Sequence, residues 1–227
     1  MQLNTAEKFL LIAHHPEKSR FTISSIQMEY GIIGAILMDL TLDNKVTLEN
    51  KILVPAQITT RSQNQAFTEI ITMIGDSVKP RTVKHWISRL ARRYNRYKWL
   101  LIGELENKNI IRIENKKLLG LIPYRSSYLT ENIARSNLIQ QLKNNILFGK
   151  ELNNEAIAIL GMVEACSMHK LLAPDRDERK KLKTQLKQVI KESPIAGIVD
   201  QTIKQVQAAI TLAMITSAAA SSATAHH

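Results

Sequence analysis

The segment Ile26–Leu42 reads as a helix with almost no polar face. Gly31, Ile32, Ile33, Ala35, Ile36, Leu37 and Leu40 crowd it, and Asp43-Asn44 ends it. A helix apolar on most of its surface has to be covered by other elements. Gly31 and Gly34 leave room for a neighbouring helix to approach closely, a use that outweighs their cost in helix propensity. Val206–Ala220 has the same character and reads as a second core helix, apolar on nearly every face. It falls short of the ~20 apolar residues that cross a bilayer, and Gln207, Thr211, Thr216 and Ser217 interrupt it. Eight Gly, six Pro and 5% aromatics in 227 residues leave turn punctuation sparse, which favours a mostly helical fold over a sandwich or barrel.

The remaining periodicities are shorter. Thr5–His14 is expected to be a helix capped by Thr5, and Pro16–Arg20 a turn. Val46–Val54 alternates as a short strand pair would, and Gln65–Gly75 aligns Ala66, Phe67, Ile70, Ile71 and Ile74 on one helical face. Thr82, after Pro80, caps a helix whose apolar stripe runs through Trp86, Leu90, Tyr94, Tyr97, Leu101 and Leu105. That helix is either continuous or broken near Arg92–Asn95. Ile110–Ile113 and Leu118–Ile122 flank Glu114-Asn115-Lys116-Lys117, which predicts a β-hairpin with an apolar second strand that Pro123 stops. Helices are then expected over Leu129–Phe148 (ending at Gly149), Asn154–Leu172 and Asp177–Glu192, with Pro194 and Gly197 before the last one. Ser217–His227 reads as a frayed, low-complexity tail.

Between Asp76 and Glu104 the chain has no acidic residue. It places Lys79, Arg81, Lys84, Arg89, Arg92, Arg93, Arg96 and Lys98 there, most of the excess in a formal net charge of +11. Trp86, Tyr94, Tyr97 and Trp99 are interleaved. Such a surface usually faces a polyanion. No phosphate loop, nucleophile elbow or Cys-x-x-Cys pair is present. Cys166 reads as a small buried hydrophobe, and its being the sole cysteine points to a reducing compartment. His169 reads as structural, and Asp175, Asp177 and Glu178 as acids at a helix N-terminus. No catalytic residue, metal site or cofactor is expected, and no export signal is visible.

Two readings of the basic stretch compete. A basic helix followed by a hairpin is the order of winged-helix nucleic-acid modules. Against it, Leu118, Leu119, Leu121 and Ile122 are too apolar to lie on a phosphate backbone and look like a docking surface. The other reading is an anionic membrane surface, where each Lys or Arg is worth ~1 kcal/mol.

Successive blocks of the chain resemble the Golgi phosphoprotein three family. They are Glu7-Lys-Phe-Leu-Leu-Ile, Tyr30-Gly-Ile-Ile-Gly-Ala-Ile-Leu-Met-Asp-Leu, Lys79-Pro-Arg-Thr-Val-Lys-His-Trp-Ile-Ser-Arg-Leu and Leu105-Glu-Asn-Lys-Asn-Ile-Ile. Ala156-Ile-Ala-Ile-Leu and the Ala-rich last helix fit its ending. The resemblance implies a mainly α single domain over residues 1–220: a central helical bundle surrounded by amphipathic helices, with a short β-strand pair and a protruding apolar β-hairpin. Residues 221–227 would be a flexible tail. It also implies a cytoplasmic, non-enzymatic peripheral membrane protein that binds phosphatidylinositol 4-phosphate-like headgroups. A homo-oligomer would form through the hairpin at 114–125, by way of Leu118, Leu119, Leu121 and Ile122.

The chain departs from the eukaryotic members at two headgroup positions. The loop Phe21–Gln27 has no Trp, and Ile33 stands where an Arg precedes the second Gly. The family's Arg-x-x-Arg matches Arg93 and Arg96, or, counted back from Asn109-Ile110-Ile111, Asn95 and Lys98. The likeness is therefore to the short, bacterial-type members. Arg92, Arg93, Arg96 and Lys98 are the expected headgroup contacts, because cationic side chains, and the planar fork of Arg above all, suit phosphate oxygens. Trp99 is expected at the membrane interface or in the core, and Trp86 in the core. Anionic phospholipid is the favoured partner and nucleic acid the less favoured.

Overall fold

The computed structural model describes residues 2–56, 64–148 and 152–223. At its centre is α2 (Ser25–Leu42), with every residue from Gly31 to Leu40 buried. The helices that pack most closely on it are α1 (Thr5–Ala13), α4 (Val83–Ala91), α5 (Tyr94–Asn107), α7 (Asn154–Ala165) and α10 (Ala196–Ala223). The two α2 glycines let them close in. A Cβ on Gly31 would sit 2.2 Å from Phe9 Cζ and 2.8 Å from Cys166 Sγ. One on Gly34 would sit 2.6 Å from Val206 Cγ2 and 2.9 Å from Met162 Cε. Real Cβ atoms do not approach that closely, so α1 and α10 can pack only because these side chains are missing.

Around this bundle lie α3 (Gln65–Gly75), α6 (Ile133–Leu147), α8 (His169–Leu172) and α9 (Arg176–Glu192). The strand pair β1 (Val46–Glu49) and β2 (Ile52–Pro55) is antiparallel, with Val46 opposite Pro55 and Glu49 opposite Ile52. A two-residue strand, β3 (Arg81–Thr82), adds to β2 and brings the start of α4 onto this sheet. The second sheet is the hairpin β4 (Ile111–Leu118) and β5 (Ile122–Leu129). The architecture is mainly α with two small antiparallel sheets, and one apolar cluster runs through it from Ala6 to Ile210.

Several expectations need correction. Thr5 does not cap α1. Asn4 does, accepting from Glu7 N at 2.9 Å while the Glu7 carboxylate accepts from Asn4 N, a reciprocal capping box. Glu114–Lys117 is not the hairpin turn: these residues pair in register with Ser126, Arg125, Tyr124 and Pro123. The turn is Leu119–Leu121, where Leu119 (φ 51°) and Gly120 (φ 74°) take left-handed backbone. Leu118–Ile122 is thus the tip, and Pro123 lies within β5, where a two-stranded ribbon leaves one side free of ladder bonds. Leu129 belongs to β5, so α6 starts at Ile133. The expected helix Asn154–Leu172 breaks at Cys166–Met168, where Ser167 is left-handed at φ 54°.

The last helix, α10, extends to Ala223, but beyond Ile210 it leaves the core. Val199, Ile203, Val206 and Ile210 are buried, whereas Leu212 and Ile215 are exposed. Gly149 and residues 224–227 lie outside the described residues.

A cationic pocket between the first loop, the basic helix and the hairpin

The acid-free stretch folds as α4 and α5 with a break at Arg92–Arg93. The Arg93 N–H donates to Leu90 O at 2.8 Å instead of one residue further back, and Arg93 sits at φ −112°, ψ 13°. The helical ladder restarts from Arg93 O, which accepts from Arg96 N and Tyr97 N. Both halves keep their apolar stripe inward: Trp86, Leu90, Tyr97, Leu101 and Leu105 are buried. The break re-aims the cations, so the four expected headgroup contacts go three ways.

Arg92 and Arg93 are exposed beside Lys84, His85 and Arg89, in a cleft that Met73 and Thr82 also line. Arg96 turns to α3. Its Nε donates to Glu69 Oε2 at 2.8 Å and its Nη2 to Glu69 Oε1. That pairing holds the Glu69 carboxyl below the usual carboxylate range. Lys98 goes to the other side of α5, into a pocket of ≈ 320 Å³.

The α1–α2 loop, the start of α2, α5 and β5 build this pocket. The α1–α2 loop gives Ser19 and Arg20, and the first turn of α2 gives Ser25; α5 gives Tyr94, Lys98 and Trp99; β5 gives Arg125 and Ser127. The loop is stapled in place. His15 N donates to Arg20 O at 2.9 Å and Thr22 N to Ala13 O at 2.8 Å. Ser127 N donates to Ser19 Oγ at 3.0 Å, tying loop to hairpin. Beneath it His14 is buried, with Nε2 3.1 Å from Ser127 O, and burial holds its imidazole below the usual range.

Arg125 lies over the Trp99 ring, its guanidinium carbon 4.4 Å from the ring centroid. Lys98 Nζ lies 5.3 Å from the same ring and 5.4 Å from that of Tyr94. Both are cation–π distances. Burial, and then the charge of Arg125, push the Lys98 ammonium below its ordinary value. Two cations are therefore held near one another in a partly desolvated recess that no acidic residue lines. A bound oxyanion would relieve that repulsion, and the hydroxyls of Ser25 and Tyr94 add donors at the rim.

A family model for Golgi phosphoprotein 3 (GPP34) matches residues 5–206. The chain belongs to that family. No curated protein matches it. Family membership gives the pocket a reference point. Of the two ways to match the family's Arg-x-x-Arg, the one ending at Lys98 puts a cation against the loop before α2. The one on Arg93 and Arg96 puts its cations on the α3 side. Ile33, where the eukaryotic members have Arg, is fully buried and does not line the pocket.

Trp99 is half-buried, packed against the core on one side and under Arg125 on the other. Trp86 is core, 1% exposed. Arg125, Arg20 and Ser19 were not singled out from sequence. A lone Arg in a hairpin and a polar turn carry no periodic signal, and only the fold brings them to Lys98. His169 is buried and bonds Glu164 at 2.6 Å. Cys166 is buried, and burial pushes its thiol far up. Among the described residues no group of three His, Cys, Asp or Glu is placed to hold a metal ion, and no helix is long and apolar enough to cross a membrane.

Proposed function

We propose that this chain is a non-enzymatic peripheral membrane protein whose Lys98–Arg125 pocket binds the phosphorylated headgroup of an anionic phospholipid, phosphoinositide-like. The observation that carries the reading is the pairing of Lys98 and Arg125, from α5 and β5, over one aromatic ring in a recess lined by no acid. A phosphomonoester brings two negative charges and suits this arrangement better than a single diester does. Arg125 and Arg20 supply positive charge where the eukaryotic pattern at Ile33 is missing. Arg96 would join only by giving up Glu69.

The hairpin is the second part of the reading. Leu119 is 89% and Leu121 83% exposed, and Leu118 and Ile122 flank them at the tip. Four contiguous apolar side chains on a protruding turn are a contact surface, and we assign them to self-association. A cross-strand bond stiffens the ribbon that presents them: Lys116 Nζ donates to Tyr128 Oη at 2.6 Å, and Glu114 on the same strand holds that ammonium at 2.9 Å.

Vesicle co-sedimentation tests the lipid reading. Wild type is expected to pellet with vesicles containing phosphatidylinositol 4-phosphate more than with phosphatidylcholine alone, and less at high salt. Lys98→Ala/Arg125→Ala should lose the phosphoinositide preference by at least tenfold in affinity, about 1.4 kcal/mol. Equal pelleting of wild type and variant would remove the pocket from the proposal. Salt-dependent retardation of duplex DNA without vesicle binding would favour nucleic acid instead.

A further inference from the structure

The Lys98 pocket uses one of the eight cations of the acid-free stretch, and Glu69 holds Arg96. Lys79, Arg81, Lys84, Arg89, Arg92 and Arg93 remain, and all six are exposed. They line two clefts that share Met73 and Arg89, which makes one continuous face along α4 and the loop before it. Asp76 is the single acidic residue lining it, and among the described residues none of the six is in a salt bridge, although the Arg93 charge also acts on Glu69.

In the middle of that loop stands Val78, 96% exposed, between Ser77 and Lys79. The loop is not slack. Ser77 N donates to Ile74 O at 3.2 Å, Ser77 Oγ donates to Lys79 O at 2.8 Å across Val78, and Arg81 pairs with Leu53 in the sheet. Val78 is thus held outward by bonds on both sides of it, at a cost that water does not repay.

An apolar tip held out among six cations that outnumber the acids on their face fits one class of polyanion better than another. A nucleic-acid backbone would satisfy the cations and leave Val78 with nothing. An anionic bilayer satisfies both, with headgroups on the cations and the Val78 side chain at the acyl boundary. We infer that the α4 face and the Ser77–Arg81 loop form a second bilayer contact, selective for negative charge but not for headgroup, with Val78 as its inserted residue. The inference rests on the lipid reading above and extends it. The pocket sets which headgroup is chosen, and the α4 face sets how tightly the protein holds any anionic surface.

The two parts separate experimentally. The probes are phosphatidylcholine vesicles doped with phosphatidylserine and free of phosphoinositide, and soluble inositol 1,4-bisphosphate. Arg81→Ala/Arg89→Ala/Arg92→Ala should weaken binding to the serine vesicles by roughly fivefold per cation removed, on the order of a hundredfold in all. Its affinity for the soluble bisphosphate should be unchanged. Lys98→Ala/Arg125→Ala should do the converse. All three positions are exposed, so the fold should survive, and circular dichroism checks it.

Insertion is read directly from a nitroxide on Val78→Cys. The native Cys166 is buried with its thiol pushed up, and it should not take the label. On adding serine vesicles the nitroxide should become shielded from a water-soluble nickel relaxant and more accessible to oxygen. Unchanged accessibility, or a triple variant that binds serine vesicles like wild type, overturns the inference. Wild-type failure to bind the soluble bisphosphate, with serine-vesicle binding intact, would sink the pocket reading and leave this one standing.

Discussion

Asp39 shows how a single side chain locks this fold. It is a buried side chain on α2 that accepts from Thr5 N at 2.8 Å and Ala6 N at 2.9 Å, so it satisfies the buried amides at the start of α1 from outside the helix. Burial pushes its carboxyl up to about 7, against 3.8 for an unperturbed Asp. The native state therefore binds this proton more tightly than the unfolded chain does. The stability from that proton is fully present below the unfolded value and is lost as pH rises through about 7. Relative to Asp39→Asn, wild type should lose stability across that window, measured as urea midpoints on each side of it. A constant difference would mean that Asp39 is ionised throughout. Asp39→Ala, which orphans two buried N–H groups, should cost about 1–3 kcal/mol for each group left unpaired. The sequence showed Asp39 only as a polar residue in an apolar helix. Nothing in its spacing told of α1's amides, which come from 34 and 33 residues away.

The elements were legible where periodicity alone decides them. Ser25–Leu42 and Gln65–Gly75 match the pattern closely, because the first is buried on all sides through its centre and the second buries one continuous face. The two α2 glycines were also readable as packing positions. Gly34→Ala should cost about 1–3 kcal/mol by overpacking, since its Cβ would meet the Val206 and Met162 side chains. Chemical denaturation measures this, and a variant as stable as wild type would show that α10 can shift. The hairpin was misplaced because Glu-Asn-Lys-Lys has turn composition. Its actual turn is set by Gly120 with Leu119, a strained choice for Leu that keeps apolar side chains at the tip. The helix break at Cys166–Met168 was missed for a similar reason: no Gly or Pro announces it, and Ser167 takes the left-handed turn itself. For the tip, Leu119→Asp/Leu121→Asp should leave thermal stability within about 0.5 kcal/mol, as for other exposed sites. It should also shift the protein to a smaller species in sizing with light scattering. Elution at an unchanged mass would remove the tip from self-association.

At the scale of the whole molecule the charge pattern was readable and its division was not. A continuous helix over residues 82–108 would have set the arginines on one ridge. The break at Arg92–Arg93 instead sends Arg92 and Arg93 to the α4 face, Arg96 to Glu69 and Lys98 to the pocket. Arg125 completes that pocket from a strand 27 residues further on, a contact that only the hairpin's return over α5 can make. The chain belongs to the Golgi phosphoprotein 3 (GPP34) family, and in the reading proposed above its headgroup site is the cationic pocket of Lys98 and Arg125.

The most direct measurement is a titration of isotope-labelled protein with inositol 1,4-bisphosphate, followed by amide and indole N–H shifts. Saturable changes are expected at Ser19–Ser25, Lys98, the Trp99 indole and Arg125, and they should vanish in Lys98→Ala/Arg125→Ala. No saturable shift, or shifts confined to Lys84–Arg93, would contradict a headgroup pocket at Lys98.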